Sequence, residues 1–186
     1  MRKLAVLAGA IALTAGLGAC SSSGSSTSSS TATAAPKSGT ETIAGKITGA
    51  AAMANNPVFP LTFSGPVKTS ASQKLGGTPK KGQAYTFTTA AGNYVVTLTT
   101  VTSTQKIVNA AACRFAFGTA VTYTVDGSKS TGKFAGATGS GKAAVVFEAT
   151  TPKLSDGKCN TSSSAQPLST PAPIGTFTAA GPLTLK

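Results

Sequence analysis

Residues Thr122–Ala149 read TYTVDGSKSTGKFAGATGSGKAAVVFEA. The fold turns on whether the centre of this stretch, GATGSGKA at Gly136–Ala143, is a phosphate-binding loop or a piece of β-structure. The octapeptide has the spacing of the G-x-x-x-x-G-K-[ST] motif, but Ala143 lacks the hydroxyl that would bind magnesium. A phosphate loop also needs a buried strand before it and a helix after it. Here the preceding DGSKSTGKFA is polar and turn-like. The following KAAVVFEAT sets Ala143, Val145 and Phe147 against Ala144, Val146 and Glu148, which is a strand pattern. No nucleotide-binding site is expected. The run reads as a glycine turn between two strands, with Lys142 a surface charge and Phe134 plugging one end of a core.

The same period of two extends outward on both sides. AYTFTT places Tyr85 and Phe87 on one face, and NYVVTLTTV sets Tyr94, Val96 and Leu98 against Val95, Thr97 and Thr99. CRFAF aligns Cys113, Phe115 and Phe117, and AVTYTV aligns Val121, Tyr123 and Val125. Alternation enriched in Thr, Val, Tyr and Phe predicts half-buried strands. TIAGKITG and GTFTAAGPLTL predict two more, near the start and at the end. Turn signals separate them at Asn56-Pro57, Gly76-Gly77, Gly92-Asn93, Asp126-Gly127 and Asp156-Gly157. Helical patterning is confined to NAAACRF and GAAAMANN, each enough for one turn. The expected fold is all-β, a single antiparallel β-barrel, with a β-sandwich as the alternative. Large apolar residues are few, so Ala, Thr and Gly must fill much of the interior.

The run Thr131–Gly141 (TGKFAGATGSG) resembles a strand–turn–strand segment of small exported bacterial β-barrels related to the allene oxide cyclase and dirigent families. The resemblance covers fewer than about 30 residues and implies an antiparallel barrel with an apolar cavity. It assigns no catalytic residue, because the matching segment is a structural turn.

The first residues, MRKLAVLAGAIALTAGLGAC, join a basic start at Arg2 and Lys3 to an apolar run from Leu4 to Leu17. That run is shorter than the roughly 20 residues a membrane-spanning helix needs, and it fits a secretory signal peptide over residues 1–19. Leu17-Gly18-Ala19-Cys20 resembles the bacterial lipobox, in which the cysteine is acylated and becomes the first residue of the mature chain. Lipidation at Cys20, palmitate included, would hold the protein to the outer face of the cell membrane, since two or three acyl chains give stable attachment. Residues 20–40 are almost all Ser, Thr, Ala and Gly, the composition of a disordered tether. Such a tether has a root-mean-square span on the order of 25 Å. Residues 41–186 then form one domain of ordinary size.

Sixteen Lys and Arg against four Asp and Glu give a formal charge of +12. Without Arg2 and Lys3 the mature chain carries about +10. That balance favours anionic partners such as headgroups or envelope polymers. The lysines are scattered and no base-stacking set accompanies them, so no nucleic-acid partner is expected. Cys113 and Cys159, an even pair in an exported domain, predict a disulfide. The alternative of a thiol metal or redox site lacks both a Cys-x-x-Cys spacing and any histidine.

The absence of histidine removes His-based nucleophilic triads and imidazole metal ligands, and no cofactor or metal is expected. Three function classes remain. One is a lipoprotein with a binding or structural role, holding a small apolar ligand in the barrel. Another is a cyclase- or isomerase-type enzyme using Tyr85, Tyr94 or Tyr123 with Asp126 or Glu148. The last is a module that binds anionic envelope polymers through its basic surface. A cavity lined by apolar groups alone points to a carrier, a tyrosine beside a buried carboxylate to an enzyme, and one continuous lysine face to polymer binding.

Overall fold

The computed structural model describes residues 37–75, 77–162 and 165–186. The expected signal segment, Cys20 and most of the expected tether lie outside the described residues. Eight strands follow in chain order: β1 (Ser38–Thr48), β2 (Val58–Ser64), β3 (Thr69–Lys74), β4 (Ala84–Thr89), β5 (Gly92–Asn109), β6 (Arg114–Val125), β7 (Thr138–Thr150) and β8 (Ile174–Thr184). Short 3-10 turns occupy Gly49–Met53 and Gly132–Phe134. The first falls on one of the two segments with helical patterning, while the Ala110–Cys113 segment is a plain turn.

All eight strands belong to one antiparallel sheet in the order β3-β2-β1-β8-β7-β6-β5-β4. Every pair of chain neighbours except β3 and β4 is also paired in the sheet, and β1 closes on β8 through eleven registered pairs from Ser38↔Thr184 to Thr48↔Ile174. β3 and β4 end the order and lie against each other without a ladder. The result is a nearly closed barrel, and the sandwich alternative does not hold.

The alternation read from sequence selects the inner face. Val96 and Leu98 on β5, Tyr123 on β6 and Phe177 on β8 are all buried. On β5 the register shifts between Leu98 and Thr100. That bulge turns Val101 onto the core while Thr100 stays exposed, where strict alternation would have done the reverse. Outside, the hydroxyls of Thr99 and Thr100 both hydrogen-bond that of Thr122 at 2.6 Å.

GATGSGKA proves to be only half turn. Gly136 and Ala137 end the β6–β7 connection, but Thr138–Ala143 already belong to β7. Gly139 and Gly141 sit in the strand because their neighbours need the space. A Cβ on Gly141 would collide with the Tyr123 hydroxyl and with the Ala180 carbonyl. The connection itself packs back on the β4–β5 hairpin. The amides of Thr131 and Lys133 donate to the carbonyls of Asn93 and Ala91 at 3.0 and 2.8 Å, and Ser130 Oγ accepts the Val95 amide at 3.0 Å. Gly132, at φ 62°, has the left-handed backbone and bare Cα that this approach requires. Phe134, fully buried, then closes this end of the barrel, as the sequence led us to expect.

The opposite end carries the polar connection Thr151–Pro173. Cys113 and Cys159 stand at disulfide distance, their Cα atoms 5.3 Å apart. They tie this connection to the β5–β6 turn, since Cys113 precedes β6. The backbone adds bonds from the Leu168 amide to the Thr150 carbonyl and from the Gly49 amide to the Pro173 carbonyl, both 2.8 Å. Reduction, or Cys159→Ser, is expected to lower the unfolding free energy by about 4 kcal/mol, given a separation of 46 residues. Denaturant titrations of both forms measure this; coincident midpoints would show that the cross-link adds nothing to stability.

Candidate functional site

The barrel is packed at one end and hollow above. Its closed end is an aromatic cluster in which Phe63 lies 6.0 Å from Tyr94, and Tyr94 lies 5.0 Å from Phe134. Phe87 joins it, 6.2 Å from both Phe63 and Tyr94. Above this floor lies a cavity of about 530 Å³. Its walls are Ile43 from β1, Val96 and Leu98 from β5, Val121 from β6, and Ala143 and Ala179 from β7 and β8. The mouth lies at the far end of the strands. There Leu75, Gly77 and Pro79 from the β3–β4 connection meet Tyr85, Ser103 and Phe117. Phe117 is partly exposed and stacks on Phe147 at 5.7 Å. Among the described residues no lysine or arginine lines the cavity.

The floor contains two of the cavity's hydroxyls. Tyr94 and Tyr123 are almost fully buried and both line the cavity, close enough for each to influence the other's ionisation. Beside them Glu41, only 1 % exposed, faces inward from β1. The ladders explain how the groups approach. Tyr123 pairs with Gly141 on β7, and Glu41 pairs with Gly181 on β8. Gly139↔Leu183 and Lys142↔Ala180 put Gly141 opposite Gly181. One row across four strands therefore reads Tyr-Gly-Gly-Glu, and the two bare glycines let the outer side chains lie flat toward each other. Glu41 Oε2 accepts the Val67 amide at 3.0 Å, while Oε1 has no protein partner.

Burial governs the protonation of this group. Desolvation raises the Glu41 carboxyl above its ordinary value, against a smaller opposing effect of the Val67 amide. Desolvation likewise raises Tyr94 and Tyr123, and Glu41 adds to both shifts. Tyr85, at the mouth, is raised by burial alone.

The residues expected from sequence fall on both sides of the wall. Tyr85, Tyr94 and Tyr123 all line the cavity. Asp126 and Glu148, expected as their carboxylate partners, do not. Asp126 sits in the turn after β6, held below the usual carboxylate range by the Ser128 hydroxyl and by Lys129, with which it forms a 2.9 Å ion pair. Glu148 faces outward on β7, because it falls on the solvent phase of that strand's alternation, and pairs with Arg114 at 2.8 Å. The carboxyl beside the tyrosines is Glu41, which sequence reasoning passed over. The signal was present: in ETIAGKI, Glu41 shares the inner phase with Ile43 and Ile47.

Folding keeps on Glu41 a proton that the unfolded chain releases. Stability is therefore expected to be fullest below the ordinary value of 4.5 and to fall as pH rises through the elevated folded value. Asp126 and Asp156 shift downward from 3.8 and act only at lower pH. Thermal unfolding from pH 4.5 to neutrality should show this decline in the native protein and a flatter profile in Glu41→Gln; equal slopes would assign it to another group. No protein-family model matches this chain, and neither a curated protein nor a solved structure matches it.

Proposed function

We propose that this protein is a lipid-anchored binding barrel of the cell envelope that holds a small apolar ligand in its interior. One observation carries the reading: a cavity of about 530 Å³ bounded mainly by aliphatic and aromatic side chains, with no cation among the described lining residues. Pockets of this volume and lining suit single small molecules, whose transfer from water is driven by apolar burial. The lipobox at Leu17–Cys20 supplies the anchor and the exported location. β1 begins at the closed end, so the tether joins the barrel there, at the end away from the mouth. The likeness of Thr131–Gly141 to allene oxide cyclase- and dirigent-type barrels belongs to the same proposal, and an eight-stranded antiparallel barrel agrees with it.

A second reading rests on the floor, where two tyrosines beside a buried carboxyl are what a cyclase- or isomerase-type barrel would use. Glu41 does not itself line the cavity, which favours binding over chemistry. The polymer-binding reading has less support. Lys37, Lys68, Lys133 and Lys186 surround the closed end, and Lys74, Lys80, Lys81 and Lys153 the open end, so the lysines make no single face.

Native mass spectrometry of the protein from its own cells is expected to show a retained small molecule. Ala143→Phe, filling the cavity, should abolish its retention while unfolding stays cooperative. Retention undiminished by that substitution would place the ligand elsewhere, and a ligand recovered chemically altered after incubation would favour the enzyme. For the anchor, Cys20→Ala is expected to abolish acylation and release the protein into the medium. Membrane retention of that variant would refute anchoring at Cys20.

A further inference from the structure

The floor of the cavity leaves hydrogen-bonding capacity unused. The Tyr94 and Tyr123 hydroxyls carry two hydrogens and four lone pairs, more than the two could use on each other. Glu41 Oε1, buried beside them, is one of three buried side-chain polar atoms without a partner among the described residues, and the only carboxylate oxygen of the three. Buried polar atoms are ordinarily bonded, and leaving one unmet in an apolar site is costly. The other two, on Thr150 and Thr151, belong to the opposite end of the barrel.

The charge of the floor is as telling as its bonding. A net charge near +10 on the mature chain would draw anions toward the barrel, yet no cation among the described residues lines the interior. A carboxylate carried to the floor would lose its water without gaining a counter-ion, next to a second carboxyl. An uncharged hydroxyl has neither penalty, and it can donate to or accept from a tyrosine as either hydroxyl requires.

We propose that the cavity selects an elongated apolar molecule ending in an uncharged hydroxyl, which Tyr94 and Tyr123 hold at the floor, and that Glu41 makes the site discriminate against carboxylate-headed amphiphiles. This rests on the binding function proposed above and names its ligand class. Tyr123 is a binding residue; Glu41, behind the lining, acts as the source of discrimination through its charge alone.

The test is displacement of neutral N-phenylnaphthylamine from the acylated, full-length protein by decane, decanol and decanoate at matched free concentrations. Decanol is expected to compete about tenfold better than decane, the scale of one net hydrogen bond, and decanoate to compete no better than decane. Tyr123→Phe should bring decanol down to the level of decane and leave decane unchanged. Glu41→Gln should narrow the gap between decanol and decanoate, a shift that loss of packing alone would not produce. Equal competition by decane and decanol, unaltered by Tyr123→Phe, overturns the ligand class while the binding function stands. Decanoate matching decanol overturns the discrimination. Failure of the naphthylamine and all three competitors to bind overturns both readings.

Discussion

The ladder between β1 and β8 is the constraint on which the rest of this barrel depends. It is eleven pairs long and joins the first strand to the last, so two edges that would otherwise face water satisfy each other. Closure there fixes which residues look inward on both strands, since a slip of one residue would turn every side chain to the opposite face. Glu41, Ile43, Phe177 and Ala179 reach the interior together because of that register. The residual opening moves to the β3–β4 seam, between the two shortest strands. Leu75, Gly77 and Tyr85, on or next to that seam, line the cavity mouth. The weakest part of the cylinder and its access route therefore coincide.

Side-chain size along the inner face then decides where the barrel is solid. On β7 the inward series runs Gly139, Gly141, Ala143, Val145, Phe147, growing from the closed end to the open one. Near the floor the missing volume is taken by Tyr123 lying over Gly141. Higher up, Ala143 and Ala179 face space that no side chain fills. An aromatic cluster of Phe63, Tyr94 and Phe134 fills the closed end, Phe59 meets Phe147 toward the open one, and the small residues Ala143 and Ala179 border the void between.

What the sequence disclosed and what it concealed follow one physical line. Strands with bulky alternating residues, β4 through β8, were legible because their pattern is local. β2 and β3 were not: Pro60 interrupts VFPLTFS, and TSASQK has no large apolar residue to mark its inner face. The β1–β2 ladder indeed stops at Gly45↔Leu61, beside the proline that has no N–H to give. GATGSGKA misled in part because a glycine placed to admit a tyrosine from the next strand looks, within its own strand, like a glycine placed for a turn. The site was half legible for the same reason. Three tyrosines announced themselves by period, whereas the choice of carboxylate depended on closure, which buried Glu41 and left Asp126 and Glu148 outside.

Those four carboxylates show how the barrel separates its two electrostatic environments. Asp126, Glu148 and Asp156 each have a basic partner within 3.1 Å. Such exposed pairs contribute little to stability and mainly shape the surface field. Among the described residues Glu41 has no basic partner, and the Val67 amide is the one hydrogen-bond donor that meets it. A buried carboxyl without a counter-ion is a cost that the surrounding barrel must offset, and a hydrophobe at that position would avoid it. Its position beside Tyr94 and Tyr123 places that cost at the cavity floor. Outside, basic side chains neutralise three carboxylates at the surface; inside, the fourth depends on burial and a single backbone amide, so the two environments are set by different residues.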